Sequence, residues 1–305
     1  MTTQTVQTQT GSDRARVATD AVRHHYDVGN EFFGLWLDET LSYSCALRAG
    51  GSDTLADAQI RKLDHHLHAV DADRAHRLLD IGCGWGAVLR RAVEGHGVGR
   101  AVGLTLSAEQ AAHITDRGDP AIEVRTESWT QHAPTEPYDA IISIGAFEHF
   151  ADPTDPPEAK IAVYRDFFDH CRRWLNPGGT LSLQTIVYAT MSPDAASTFM
   201  QQEIFPNAEL PTFAEIAAAA EGLFEITAVD NGREDYAWTC GTWAARLREN
   251  RTRATELVGA DTVARYQRYL TQSALGFRMG KIGLYRIALR PYPDTHFGSR
   301  RTSRP

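Results

Sequence analysis

The feature that leaves this chain least freedom is Leu78-Leu79-Asp80-Ile81-Gly82-Cys83-Gly84-Trp85-Gly86, an apolar strand that empties into three closely set glycines and then a helix. Glycine is required where φ turns positive or where a ligand must lie against the backbone. A strand-turn-helix of this kind opens a βαβ unit and aims a helix N-terminus at its ligand. The dinucleotide fingerprint GxGxxG is one such turn, but the spacing here is GxGxG, and Asp80 stands at the strand end. A carboxylate there repels a pyrophosphate and attracts a cationic amino group, directly or through water.

The surrounding chain alternates in the same sense. Ala56, Ile60, Leu63 and Leu67 recur at helical spacing before the strand, a helix follows over Ala87–Glu94, and a second strand over Arg100–Leu104. Further strands are expected at Tyr138–Ile144 and Thr180–Val187. The helix between them carries its stripe on Tyr164, Phe167, Phe168, Cys171 and Leu175 and ends at Asn176-Pro177-Gly178-Gly179. Beyond Val187 helices dominate, with strands near Phe224–Val229 and Gly283–Leu289, and Leu284–Leu289 reads as an edge strand. The pattern predicts an α/β fold, a seven-stranded, mostly parallel sheet with helices on both faces and a helical cap, and a ligand at the carboxyl ends of the strands. We read 1–16 as a disordered tail, 17–290 as a single domain with cap insertions at about 189–206 and 237–280, and 291–305 as a flexible tail.

S-adenosylmethionine suits the glycine turn and Asp80 better than a dinucleotide; the plainer alternative is a glycine turn that only packs. A dinucleotide site would show an acid about 20 residues after its glycines. Thr105, Leu106 and Gln110 stand there instead, able to hydrogen-bond a ribose or its neighbours through hydroxyl and amide. Ser128 and Trp129 fall where the third strand ends, placed to flank an adenine, although Trp129 reads equally as a core aromatic. With such a site the expected fold is that of a Rossmann-like class I methyltransferase.

A net charge of -8 argues against a nucleic-acid partner. No run of about 18 apolar residues suggests a membrane span, and the polar start lacks a signal peptide, so a cytoplasmic location is expected. Cys45, Cys83, Cys171 and Cys240 form no CxxC pair, which suggests neither a zinc site nor a disulfide framework. His24, His25, His65, His66 and His68 likewise suggest no metal: on a helix they point to different sides, lack an acidic partner at ligand spacing, and read as a solvated face. Phe32, Phe33 and Trp36 form an N-terminal helix that lines a substrate channel or pairs with another subunit; the sequence gives no symmetry signal for an oligomer.

The segments His25–Phe33, Tyr43–Ala46, Leu78–Gly86, Gly103–Ser107, Ser143–Phe150 and Glu203–Pro206 together resemble the cyclopropane fatty acid synthase and mycolic acid cyclopropane synthase family, in order and over about Val17–Arg290. The resemblance implies S-adenosylmethionine held by Tyr26, Tyr43, Ser44, Asp80, Gly82, Gly84, Thr105, Leu106, Gln110, Ser128, Trp129 and Ile144. It implies methyl attack by an alkene, leaving a carbocation, and a bicarbonate ion held by a glutamate, a cysteine backbone, a tyrosine and a histidine. The first three fall on Glu148, Cys45 and Tyr236, but Gln184 takes the histidine's place. Glutamine can donate a hydrogen bond to an oxyanion but cannot carry a proton. The segment Val187–Pro206 looks shorter than in the long-chain enzymes, which implies a smaller or differently shaped substrate.

Each residue also has a plainer reading: Glu148 as a helix cap, Tyr236 as packing, Cys45 as a small core residue with no base to activate it. The apolar Phe199, Met200, Ile204 and Phe205 fit a hydrophobic small-molecule or carrier-tethered substrate, or simply the cap's own core. Three functions compete: methylation or cyclopropanation of an alkene carbon; N- or O-methylation of a secondary metabolite, with His149 as base; and cofactor binding without catalysis.

Overall fold

The computed structural model describes residues 29–191 and 209–293. Seven strands form one sheet: β1 (Arg77–Ile81), β2 (Arg100–Thr105), β3 (Ile122–Thr126), β4 (Tyr138–Ile144), β5 (Leu175–Tyr188), β6 (Phe224–Asn231) and β7 (Ile282–Pro291). Their spatial order is β3-β2-β1-β4-β5-β7-β6, with the first five parallel and β7 antiparallel to both its neighbours. β1, β2 and β4 are buried almost end to end, as parallel strands covered on both faces must be.

The helices are α1 (Asn30–Gly34), α2 (Leu55–Ala69), α3 (Ala87–His96), α4 (Ala108–Thr115), α5 (Pro157–Trp174), α6 (Phe213–Ala220), α7 (Arg233–Glu249), α8 (Arg251–Val258) and α9 (Ala260–Arg278), with short 3-10 turns at Ala72–Arg74 and Phe147–His149. Local chemistry sets their ends. Thr54 caps α2 by accepting from Asp57 N, Thr212 and Glu215 close a reciprocal capping box on α6, and Pro157 opens α5 while Arg172 and Arg173 sit in its last turn.

Three sequence expectations are corrected. The strand 282–291 is not an edge: it inserts between β5 and β6, and the border falls to β6, whose last five residues are exposed and include Asp230. Helix α5 stops at Trp174, before Asn176-Pro177-Gly178-Gly179, because Leu175 already pairs with Tyr138 of β4. Phe32, Phe33 and Trp36 are at most 1% exposed, packed edge-on or tilted among Tyr43, Trp85, Trp243 and Tyr266, so these three side chains are not available to pair with a second subunit. Helices α7, α8 and α9 share that aromatic core. Most of the expected insertion at 189–206 lies outside the described residues, as do His24, His25, Tyr26, Phe199, Met200, Ile204 and Phe205.

Candidate active site

Strand order reverses between β1 and β4, which opens a crevice at their carboxyl ends. Gly82 leaves β1 at φ 81°, where a Cβ would stand 2.5 Å from that of Ala146. Gly84, at φ 53°, would meet nothing within 4 Å. The first glycine is therefore imposed by the turn after β4, and the second keeps a cradle clear. Ile144 borders the same cavity, as do Tyr43, Ser44 and Lys62.

Two buried groups of opposite sign share this cavity. Lys62, 2% exposed, donates to Ser44 Oγ at 3.0 Å, and burial lowers its pKa to about 8. Burial raises Asp80 to about 7, against the pull of Lys62. The pair matches the two ends of an amino acid: ammonium and hydroxyl for a carboxylate, Asp80 for an ammonium. Tyr43 lies among Phe33, Trp36 and Trp243 at centroid distances of 5.2 to 5.6 Å. Past β2, Thr105 donates to Gln110 Oε1 at 2.7 Å, which leaves the Gln110 NH2 for a ligand; the half-buried Leu106 follows Thr105. The Ser128 hydroxyl lies 3.0 Å from that of Thr130, and Trp129 belongs to the core around α5, its ring edge-on to Phe167 at 5.5 Å.

Glu148 sits in the 3-10 turn directly after β4, only 5% exposed. Its Oε1 accepts from Ile186 N at 2.6 Å, its Oε2 is buried without a partner, and desolvation raises its pKa to about 7. Tyr236, in the first turn of α7, stacks on Phe277 at 4.4 Å, near enough for Cys45 and Glu148 to act on its ionisation. Burial pushes the Cys45 thiol up to about 12, so no thiolate is on offer. Desolvation takes His149 down to about 4, which leaves it neutral and weakly basic.

Gln184 has company that sequence reasoning missed. Its register partner on β7 is Arg286, 2% exposed, whose Nε donates to Gln184 Oε1 at 3.0 Å and whose Nη2 donates to Ala46 O at 2.9 Å and to Cys45 Sγ at 3.4 Å. Asp235 stands 3.7 Å from the same guanidinium. The reading of His65, His66 and His68 as a solvated face fails for His66, which is fully buried, with Nε2 3.3 Å from Gln184 Oε1 and Nδ1 2.8 Å from Ser182 Oγ. An amide oxygen only accepts, so Nε2 carries the proton and Nδ1 accepts from Ser182. Burial and Arg286 hold this imidazole neutral. With Oε1 committed twice, Gln184 has only its NH2 left to give. Gln59, Lys62 and His66, spaced three and four apart on α2, are the signal in the sequence: a polar stripe on the same face as Leu63 and Leu67.

The model of the mycolic acid cyclopropane synthetase family matches residues 13–287. The chain belongs to that family. Cyclopropane mycolic acid synthase 3 of Mycobacterium tuberculosis is 37% identical over 277 residues, 85% of this chain and 92% of that protein. Methoxy mycolic acid synthase MmaA3 of the same species is 34% identical over 298 residues, 92% of this chain and 98% of its own length. The crystal structure of mycolic acid cyclopropane synthase CmaA1 complexed with SAH and CTAB superposes with a TM-score of 0.81 at 34% identity, covering 90% of this chain and 98% of that one. Coclaurine N-methyltransferase, 20% identical with a TM-score of 0.71, shares the fold, which is that of class I methyltransferases. As a member of the cyclopropane synthetase family, the chain is a methyltransferase. Among its described residues no helix is long and apolar enough to cross a membrane.

Proposed function

We propose that this enzyme transfers the methyl group of S-adenosylmethionine to an alkene carbon of a hydrophobic, lipid-like substrate. The observation that carries the reading is Glu148: a carboxyl group at the ligand edge of the sheet, with one oxygen buried and unpartnered and a proton affinity near neutrality. The named relatives, synthases of cyclopropane and methoxy mycolic acids, support a lipid substrate.

The donor's charges fit the cavity. Lys62 and Ser44 would hold its carboxylate, Asp80 its ammonium and the Gln110 amide its ribose, while Gly84 leaves room for the chain between. When bound, the cofactor supplies an electrophilic methyl group on a cationic sulfur. An alkene has no proton to surrender before attack, so the site needs no strong base at the outset. It needs a group that takes a proton from the cation left behind, and Glu148 Oε2 is placed to do so. Loss of that proton from the added carbon closes a cyclopropane; loss from a neighbouring carbon gives a methylated alkene. The aromatic ring of Tyr236 would favour a cation by about 0.5–2 kcal/mol. The family's bicarbonate fits in part: the Gln184 NH2 and the Tyr236 hydroxyl are donors that would hold it, and no step above depends on it.

Incubation with methyl-labelled S-adenosylmethionine and a panel of acyl, prenyl and polyketide alkenes tests the reading. Label on carbon, lost in Glu148→Gln, supports it. Label confined to nitrogen or oxygen, with His149→Ala inactive, would replace it with heteroatom methylation, and tight cofactor binding without transfer to any acceptor would leave a binding protein.

A further inference from the structure

Contrary to the sequence reading, His68 has an acid at helical spacing, Asp64, but that carboxylate goes to Arg91 and His96, and the fold brings His68 a different one. Six residues beyond Lys62, His68 stands in the last turn of α2; the chain then reverses at Asp71, φ 54°, and brings Asp73 back alongside. His96, the final residue of α3, arrives from the other side. The donor atoms of His68, Asp73 and His96 all lie within 4.8 Å of one another.

The surroundings are those of a ligand set. His96 Nδ1 faces Asp73 Oδ1 at 2.8 Å, and its Nε2 lies 3.2 Å from Asp64 Oδ1. Arg91 holds that second carboxylate by two hydrogen bonds, of 2.6 and 2.9 Å. A metal-bound imidazole characteristically passes its other N–H to a carboxylate, which fixes tautomer and ring orientation; here Asp64 fills that part and leaves Nδ1 for a cation. Helices α2 and α3 both end at this point, so two negative dipole ends converge on it.

We propose that His68, Asp73 and His96 bind a divalent transition-metal ion of the zinc class, with water completing the coordination. Two imidazoles and one carboxylate select a borderline cation over magnesium or calcium. Tetrahedral donors at zinc stand about 3.3 Å apart for bonds of about 2.0–2.1 Å. Closing the set therefore takes movements of about an ångström, and two of its three members are exposed. The ion would clip the helix that carries Lys62 to the helix that follows the glycine turn, and so stiffen the cofactor crevice from outside it.

The test uses the full-length chain without an affinity tag, stripped by chelation and titrated with zinc chloride in a calorimeter, with magnesium chloride as a parallel arm. Cobalt chloride provides a visible spectrum of the bound ion. One zinc ion per chain is expected, with Asp64→Asn weakening it about 10–100-fold and His68→Ala weakening it further and abolishing the cobalt bands. Zinc at a hundredfold excess over its dissociation constant shifts the folding equilibrium about 100-fold, read as a higher thermal midpoint that His68→Ala lacks. His68 is exposed, so this variant folds as the parent does, which circular dichroism checks. No zinc uptake, uptake equal in His68→Ala, or magnesium bound as tightly as zinc would each overturn the proposal.

Discussion

Replacing Gln184 with leucine removes the single atom that two buried donors share. Arg286 Nε and His66 Nε2 lie 3.0 and 3.3 Å from Oε1, and neither residue is more than 2% exposed, so water cannot take the amide's place. Stranding a buried donor costs about 1–3 kcal/mol, with the upper end for a charged group such as Arg286, so the two together set the loss at about 3–5 kcal/mol. Urea denaturation reads this as a lower midpoint at unchanged slope. Gln184→Glu keeps both acceptor positions opposite the guanidinium and should recover most of the loss. Gln184→His offers one accepting nitrogen to two donors and should fall between. In a His66→Ala background the leucine substitution strands one donor fewer, so its penalty should shrink by about 1–2 kcal/mol. A leucine variant within about 1 kcal/mol of the parent, within the spread of ordinary substitutions, or a cycle without coupling, would refute the shared acceptor.

Glu148→Gln should separate stability from activity. The folded pKa of Glu148 is raised from 4.5 to about 7, so its contribution to stability is full below 4.5 and is lost as pH rises through 7. The penalty on the charged form is on the order of 3 kcal/mol. The variant should match the parent near pH 4, exceed its stability above pH 8 in urea melts, and fail to transfer methyl; equal pH slopes would contradict this. Lys62→Met should weaken S-adenosylhomocysteine by about 1.5–3 kcal/mol, the worth of a charged hydrogen bond. The parent's affinity should itself fall as pH passes about 8, where Lys62 loses its proton; calorimetry at pH 7 and 9 reads both. Gly84→Ala should cost about 1 kcal/mol of folding for its positive φ, yet lower cofactor affinity by more than that, because the methyl group enters the cradle. Equal losses in urea and calorimetric titrations would sink that account.

The sheet was legible because its signals are local. Strand β4 falls at Tyr138–Ile144 as read, and the glycine turn announces itself within nine residues. Position in space was less legible. Nothing in residues 282–291 says that they lie between two other strands instead of at the border, since register and order are set by tertiary pairing. The site divides the same way. Asp80, Gly82 and Glu148 stand at or just past strand ends and could be found from them. Lys62 and His66 carried a weaker signal, a polar stripe with Gln59 beside Leu63 and Leu67, and Arg286 none, because a polar residue on a helix or late strand reads as solvated until the element covering it is known. His66 shows this most plainly: its neighbours His65 and His68 are partly or largely exposed, and one position along the helix turn decides between water and Gln184.

Strand β7 follows every other strand in the chain and yet fills an interior place in the sheet. A polypeptide emerging from the ribosome can therefore build β1 to β5 early, but β6 has nothing to pair with, and His66 and Gln184 wait for their cationic neighbour, until residues 282–291 have been made. Synthesis that stops short leaves an open seam along β5 and an unfinished reaction chamber together, so this architecture ties the onset of chemistry to the completion of the sheet.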